Sequence, residues 1–274
     1  MEWMIGLALA GFAGLSARWN WWRLPCGGLP VLMYHKIGSS PRGSRLKNLW
    51  VTESECRWQL AYLKERGYTP IFFSQLLAAA RGDAGLPEKP ALLTFDDGYK
   101  NNYAAAHPIL AEAGMKANMF VVTGSLDRHN YWHNPETEAW IPMLTLGDLK
   151  EMQKSGIWEF GSHTVNHPNL TEIPLEQAAW ELRESKKRLE DALQTEVTSF
   201  GYPYGRGAYS TDVRREVFAA GYRMDFGIRQ GKTPLPQPLN ASHFQETPFK
   251  RLFIRGDDLR FDFHLNMTRG KARF

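Results

Sequence analysis

Two short stretches of the chain carry the residue types that could do chemistry. One is Thr94-Phe95-Asp96-Asp97-Gly98-Tyr99, and the other is His163-Thr164-Val165-Asn166-His167-Pro168. One carboxylate and two imidazoles make a three-ligand site for a zinc-like cation, with one coordination position left open. The second carboxylate is then available as a base toward water. That is the minimum equipment for metal-assisted hydrolysis of an amide or ester. Asp96 and Asp97 are consecutive, so at a strand end they point in different directions. Two carboxylates so close repel each other, and a cation between them relieves the repulsion. Each motif also has an ordinary reading, since Asp-Asp-Gly is a common turn and a lone His is more often structural. The His-x3-His spacing sets two imidazoles on one side of a helical turn or tight loop. Taken together, the two motifs favour the metal reading.

The elements that must position these groups follow from the apolar pattern. Strands are expected at 31–34, 91–95, 117–122, 158–162, 197–202, 222–227 and 251–255, with a short apolar run at 69–72. Helices are expected at 53–66, 74–80, 102–113, 145–155, 175–193 and 211–220, several of them ended by a glycine (Gly67, Gly114, Gly221). Thr145 with Asp148 reads as a capping pair. The stretch 123–142 is irregular. Alternating strands and helices imply a mostly parallel sheet. About seven to eight strands in one unsplit domain point to a TIM-like β/α barrel, in which chemistry gathers where the strands end. Tyr34-His35, Asp96-Asp97, His163 and Tyr202-Pro203-Tyr204 all fall at expected strand ends.

The two motifs resemble the first two of the polysaccharide deacetylases, the NodB-homology group or carbohydrate esterase family four. Phe200-Gly201-Tyr202-Pro203-Tyr204-Gly205 resembles the third. The resemblance covers roughly residues 29–259 and is closest to the branch acting on poly-N-acetylglucosamine. It implies a distorted parallel β/α barrel that removes an acetyl group from an N-acetylated sugar. It further implies that Asp97, His163 and His167 bind a divalent metal, zinc first. Asp96 would be the base for the attacking water, and the Tyr204 backbone N–H would stabilise the oxyanion beside the metal, with Pro203 and Gly205 fixing that loop. Two departures stand out. The family commonly has Arg where this chain has Gly201, and its last motif supplies a His that 252–257 lacks. Arg251 is the expected substitute for the Arg. His35, at the end of an apolar strand, is the expected general acid, reached if a circular rearrangement sets the first strand beside the last. Trp132 and Tyr202 are expected to touch the glycan, Tyr131 and Trp140 offer further rings, and Trp158 is expected in the core. A hydrolase of a formyl or O-acetyl group, or a non-catalytic glycan-binding module, would use the same residues and stays open.

Composition bounds the rest. The 274 residues are 43% hydrophobic and 23% charged, too apolar for disorder. The net charge is +4 and the pI about 9.0, but the basic residues are scattered, which argues against nucleic acid. The tail 251–274 is more basic and could reach a membrane surface or an anionic substrate. Cys26 and Cys56 have no metal-type spacing, and unpaired thiols are favoured over a disulfide. Residues 3–17 are nearly all apolar, shorter than the ~20 of a spanning helix. Glu2 stands where a secretory signal would be basic, and Arg18 and Arg23 follow the apolar run. Trp19, Trp21 and Trp22 suit a headgroup layer. Residues 1–28 are therefore expected to be a membrane-associated or signal-like segment. Residues 29–274 are expected to form the catalytic domain, membrane-associated at a bacterial cell envelope.

Overall fold

The computed structural model describes residues 2–273; Met1 and Phe274, which end the expected N-terminal segment and basic tail, lie outside them. The chain opens with α1 (Glu2–Arg18), β1 (Val31–Tyr34), β2 (Lys36–Ile37), β3 (Trp50–Val51), α2 (Glu53–Glu65), β4 (Thr69–Pro70), α3 (Phe73–Arg81) and β5 (Pro90–Phe95). A π-helical turn at Asn102–Ala106 runs into α4 (His107–Ala113), followed by β6 (Ala117–Val121), α5 (Leu146–Lys154), β7 (Trp158–Ser162) and α6 (Leu175–Leu193). The chain ends with β8 (Ser199–Gly201), α7 (Thr211–Ala219), β9 (Met224–Gln230), β10 (Phe249–Phe253) and α8 (Arg260–Arg269).

Seven parallel strands close a barrel in the order β1-β10-β9-β8-β7-β6-β5, with β5 returning to β1, and β4 pairs with the start of β5. The expected distorted β/α barrel is thus observed. Its seam joins the first strand to the last, with Leu32 opposite Leu252 and Met33 opposite Phe253. The juxtaposition of 31–35 with the final strand, expected from the sequence, is therefore a property of the fold.

Period-two alternation sorts the side chains into two cores. Val31, Leu92, Phe120, Met224, Phe226 and Phe249 share a cluster with Phe73 and Leu76 of α3, which brings α3 against the barrel interior. Leu32, Tyr34, Leu93, Phe95, Met119, Val121 and Phe200 pack in a second cluster with residues of the surrounding helices. Along β5 this alternation puts Leu92, Thr94 and then Asp96 on the inner face. A Cβ on Gly161 or Gly201 would meet the Phe120 ring at 2.8 or 2.9 Å, so the barrel closes on Phe120 only because both are glycines.

Residues of the basic stretch 251–274 are tied to the domain. Arg251 is fully buried in β10. Arg273 pairs with Asp257, Asp258 and Asp262. Both cysteines are free thiols, Cys26 exposed and Cys56 buried. Among the described residues, no helix is long and apolar enough to cross a membrane.

Candidate active site

The site is assembled at the strand ends. Asp96 leaves β5 with its N–H donated to the Tyr34 carbonyl at 2.9 Å. Asp97 then turns at φ 75, a left-handed conformation that swings its carboxylate off the line of the strand. Gly98 follows at φ 88. His163 follows β7 directly, its N–H bonded to the Val121 carbonyl at 2.9 Å. Thr164 (φ 71) and His167 (φ 59) bend the segment between the histidines into a tight loop, not a helical turn. Glu181 of α6, almost fully buried, holds this loop. It accepts from Val165 N at 2.7 Å, Asn166 N at 3.0 Å and Asn166 Nδ2 at 2.8 Å.

This folding brings Asp97, His163 and His167 together. Asp97 Oδ1 lies 3.3 Å from His163 Nε2 and 3.3 Å from His167 Nε2. The potential ligand atoms of the three residues all lie within 4.8 Å of one another, and all three residues are buried. His163 Nδ1 is 2.7 Å from the Gly201 carbonyl, which can only accept, so that nitrogen carries the proton. In the neutral ring, Nε2 then presents a lone pair toward a carboxylate oxygen. Two acceptors facing at this distance need a cation or a proton between them, and the donor set suits a divalent ion. Burial pushes the Asp97 carboxyl up, but its contacts with both imidazoles outweigh this and hold it well below the usual range. Burial also pushes the His167 imidazole down, with the Asp97 carboxylate opposing.

Asp96 is gripped from two sides. Arg251 Nη1 donates to its Oδ1 at 2.6 Å, and His35 Nε2 lies 4.0 Å from its Oδ2. Burial raises the Asp96 carboxyl, while Arg251, His35 and His163 more than offset this and leave it below the carboxylate norm. Arg251 is held in turn by the Gly227 carbonyl at 2.8 Å and by Thr94 Oγ1 at 3.4 Å. The guanidinium comes from β10 because position 201 has no room for a side chain: a Cβ there would also lie 3.2 Å from His163 Nδ1. Burial pushes the His35 imidazole down, with Asp96 and Asp97 raising it and Arg251 and Lys36 lowering it.

His167 lies between two rings. Trp132 stacks on it at 4.6 Å between centroids, and Tyr204 meets it edge-on at 4.5 Å. Tyr204 is half exposed and sits at φ 55 inside the Pro203–Gly205 turn. Tyr131 bonds Asn166 through its hydroxyl, Trp140 is exposed and stacked on His129, and Trp158 is buried in the core. Tyr202 corrects the expectation of a glycan contact. Its side chain is fully buried and donates to Asp225 Oδ2 at 2.8 Å. Tyr202 follows the outward-facing Phe200 by two residues, so alternation sends it to the helix side of the sheet. Arg214 holds the same Asp225 from α7 at 2.8 Å.

Sequence reasoning missed four supporting residues, Lys36, Glu138, Asn102 and Glu181. Lys36, next to His35, is fully buried, with its Nζ 3.8 Å from Glu138 Oε1. Its ammonium also lies over the rings of Tyr99 and Trp50, at 4.5 and 5.5 Å. Glu138 accepts from Ser44 Oγ at 2.7 Å, Arg45 N at 3.1 Å and Leu46 N at 3.2 Å. The loop carrying Trp132 is thereby fastened to the loop after β2. Asn102, in the π-helical turn, donates to the His35 carbonyl at 2.8 Å. The extra residue of such turns is frequent at functional sites. Glu181 did leave a signal, as a carboxylate on the apolar face formed with Ala178, Leu182 and Leu189.

Comparison with known proteins accords with this geometry. The family model for polysaccharide deacetylase matches residues 83–224. The Bacillus subtilis protein YxkH, whose name places it among polysaccharide deacetylases, is 30% identical over 215 residues, covering 78% of this chain and 70% of its own. The poly-β-1,6-N-acetyl-D-glucosamine N-deacetylase of Staphylococcus aureus is 26% identical over 193 residues, and the match spans 68% of this chain and 63% of that enzyme. Among solved structures, the Streptococcus pyogenes deacetylase PplD in complex with acetate superposes with a TM-score of 0.69 at 27% identity, covering 85% of this chain and 94% of that one. The chain belongs to the polysaccharide deacetylase family, hydrolases of carbon–nitrogen bonds other than peptide bonds.

Proposed function

We propose that residues 29–274 form a metal-dependent N-deacetylase acting on N-acetylhexosamine within a glycan. Poly-β-1,6-N-acetylglucosamine is the first substrate to consider, because the Staphylococcus aureus relative is named for it. The observation that carries the reading is the convergence of Asp97 Oδ1 with the Nε2 atoms of His163 and His167, each at 3.3 Å, set beside a second carboxylate held by Arg251.

Asp97, His163 and His167 would hold a divalent cation, zinc by the character of the donors. When bound, such an ion supplies Lewis-acid polarisation of a carbonyl and makes water easier to deprotonate. The remaining work falls to the chain. Asp96 accepts a proton from the attacking water, whose oxygen adds to the acetamide carbonyl carbon. Arg251 keeps Asp96 ionised and fixes its orientation. The Tyr204 backbone N–H offers a donor to the developing oxyanion, a contribution of ~3–4 kcal/mol in comparable sites. His35 protonates the nitrogen as the carbon–nitrogen bond breaks, leaving acetate and a free amine. Trp132 and the exposed edge of Tyr204 offer flat apolar surface to a sugar ring.

The test is acetate release from β-1,6- and β-1,4-linked N-acetylglucosamine oligomers by the full chain. Release that a chelator abolishes and zinc restores is the expected result. Release unaffected by chelation, or absent from every N-acetylated oligomer, would overturn the proposal.

A further inference from the structure

Between Trp3 and Ala17 there is no charged residue, yet Trp3, Met4, Ile5 and Leu7 of α1 are 70%, 60%, 54% and 66% exposed. A helix that is apolar all round normally lies inside protein or in lipid. Seventeen residues span about 25 Å, short of the ~30 Å hydrocarbon core. The C-terminal end of α1 is fixed to the domain. Arg18 makes two bonds to Asp262, at 3.1 and 3.2 Å, and Trp19 Nε1 donates to the same carboxylate at 2.8 Å. Asn20 N donates to the Ala272 carbonyl at 2.8 Å. α1 is therefore tied at its C-terminal end to α8 and the residues that follow it.

Next to this attachment the surface changes character. Trp21, Trp22 and Leu24 are exposed. They lead to a groove of about 750 Å³ whose lining includes Arg23, Lys232, Lys250, Arg269 and Lys271, with no carboxylate side chain lining it among the described residues. Arg269 Nε donates to the Arg23 carbonyl and Lys232 Nζ to the Cys26 carbonyl, so the cations also bind the segment to the domain. A cationic groove beside exposed indoles and an apolar helix matches the layers of a lipid surface: phosphates, interface and acyl chains.

We propose that α1 and this groove form one docking surface for a bilayer containing anionic phospholipid. The apolar turn of α1 enters one leaflet, Trp21 and Trp22 lie at the interface, and the groove receives lipid phosphates. The proposal does not depend on the glycan assignment.

Vesicle co-sedimentation of the full chain tests it. Vesicles of phosphatidylcholine with phosphatidylglycerol are expected to bind more tightly than phosphatidylcholine alone, and the difference to shrink with added salt. Replacing Lys232, Lys250 and Lys271 together by Gln should cost about a hundred-fold on the anionic vesicles, at roughly five-fold per charge, and little on the neutral ones. Ile5→Asp with Leu7→Asp should weaken binding to both kinds. Both variants should keep the acetate release of the parent on a soluble oligomer, which also shows that they fold. Three results would overturn the proposal: equal binding of the triple variant and the parent to anionic vesicles, no effect of the helix variant, or a dimer formed through α1 in place of vesicle binding.

Discussion

Arg251 Nη1 and Asp96 Oδ1 meet at 2.6 Å inside the barrel, joining residues 155 positions apart. Arg251 is fully buried and also touches the Gly227 carbonyl and Thr94 Oγ1. Burial pushes the Asp96 carboxyl up, and Arg251 is the largest of the influences that bring it below the usual carboxylate range. Arg251→Met is expected to lower kcat about 10–100-fold while the protein keeps its metal. Arg251→Lys should recover only part of the loss, because a point charge cannot serve all three partners. Metal analysis beside steady-state kinetics checks both.

His35 faces the other Asp96 oxygen. As a proton donor to the leaving nitrogen it matters only for poor leaving groups. His35→Ala should slow release from an N-acetylated oligomer about 10²–10⁴-fold. Hydrolysis of an activated aryl acetate, whose leaving group needs no proton, should be nearly spared. Equal loss on both substrates would count against the acid role.

The Lys36–Glu138 pair fastens the Trp132 loop. Glu138→Ala leaves a buried ammonium without its counter-charge and should destabilise the chain by about 3–5 kcal/mol in urea unfolding. The double variant Lys36→Met with Glu138→Gln should recover much of that stability. KM for a glycan oligomer should rise in the single variant, because the ring that stacks on His167 is no longer held.

Asp258 predicts a pH dependence of stability. Burial pushes its carboxyl up to about 6, with Asp262 and Asp257 adding to the rise, while Arg255 N–H and Arg273 oppose it. Arg273 is shared among the three carboxylates, so it cannot fully satisfy one. A folded-state value above the unfolded one favours folding at low pH. That benefit is complete below about 3.8 and is lost as pH rises through about 6. Asp258→Asn should therefore gain about 1 kcal/mol relative to the parent between pH 5 and pH 7.5 in denaturant titrations.

Much of the fold was legible because the strands are short apolar runs that end in chemistry-bearing residues. β7 and α6 coincide with the expected 158–162 and 175–193. The pairing of the first strand with the last followed from asking where a missing histidine could come from. α8 was not legible: Arg260-Phe261-Asp262-Phe263-His264-Leu265 mixes charged and apolar residues, and it read as basic tail. Only the structure shows that Asp262 anchors Arg18 and Arg273 there. Lys36 and Glu138 left no local signal, since neither belongs to a motif and their contact crosses two loops. Tyr202 was misassigned although alternation from Phe200 already pointed it away from the site.

The central claim divides the labour of two adjacent aspartates, and a paired measurement of metal content and acetate release on Asp96→Asn and Asp97→Asn tests it most directly. The account predicts that Asp96→Asn keeps its metal and loses about 10²–10⁴-fold in rate, while Asp97→Asn loses the metal and with it the activity. Metal retained by Asp97→Asn but lost by Asp96→Asn, or an Asp96→Asn protein that turns over at the parent rate, would contradict it.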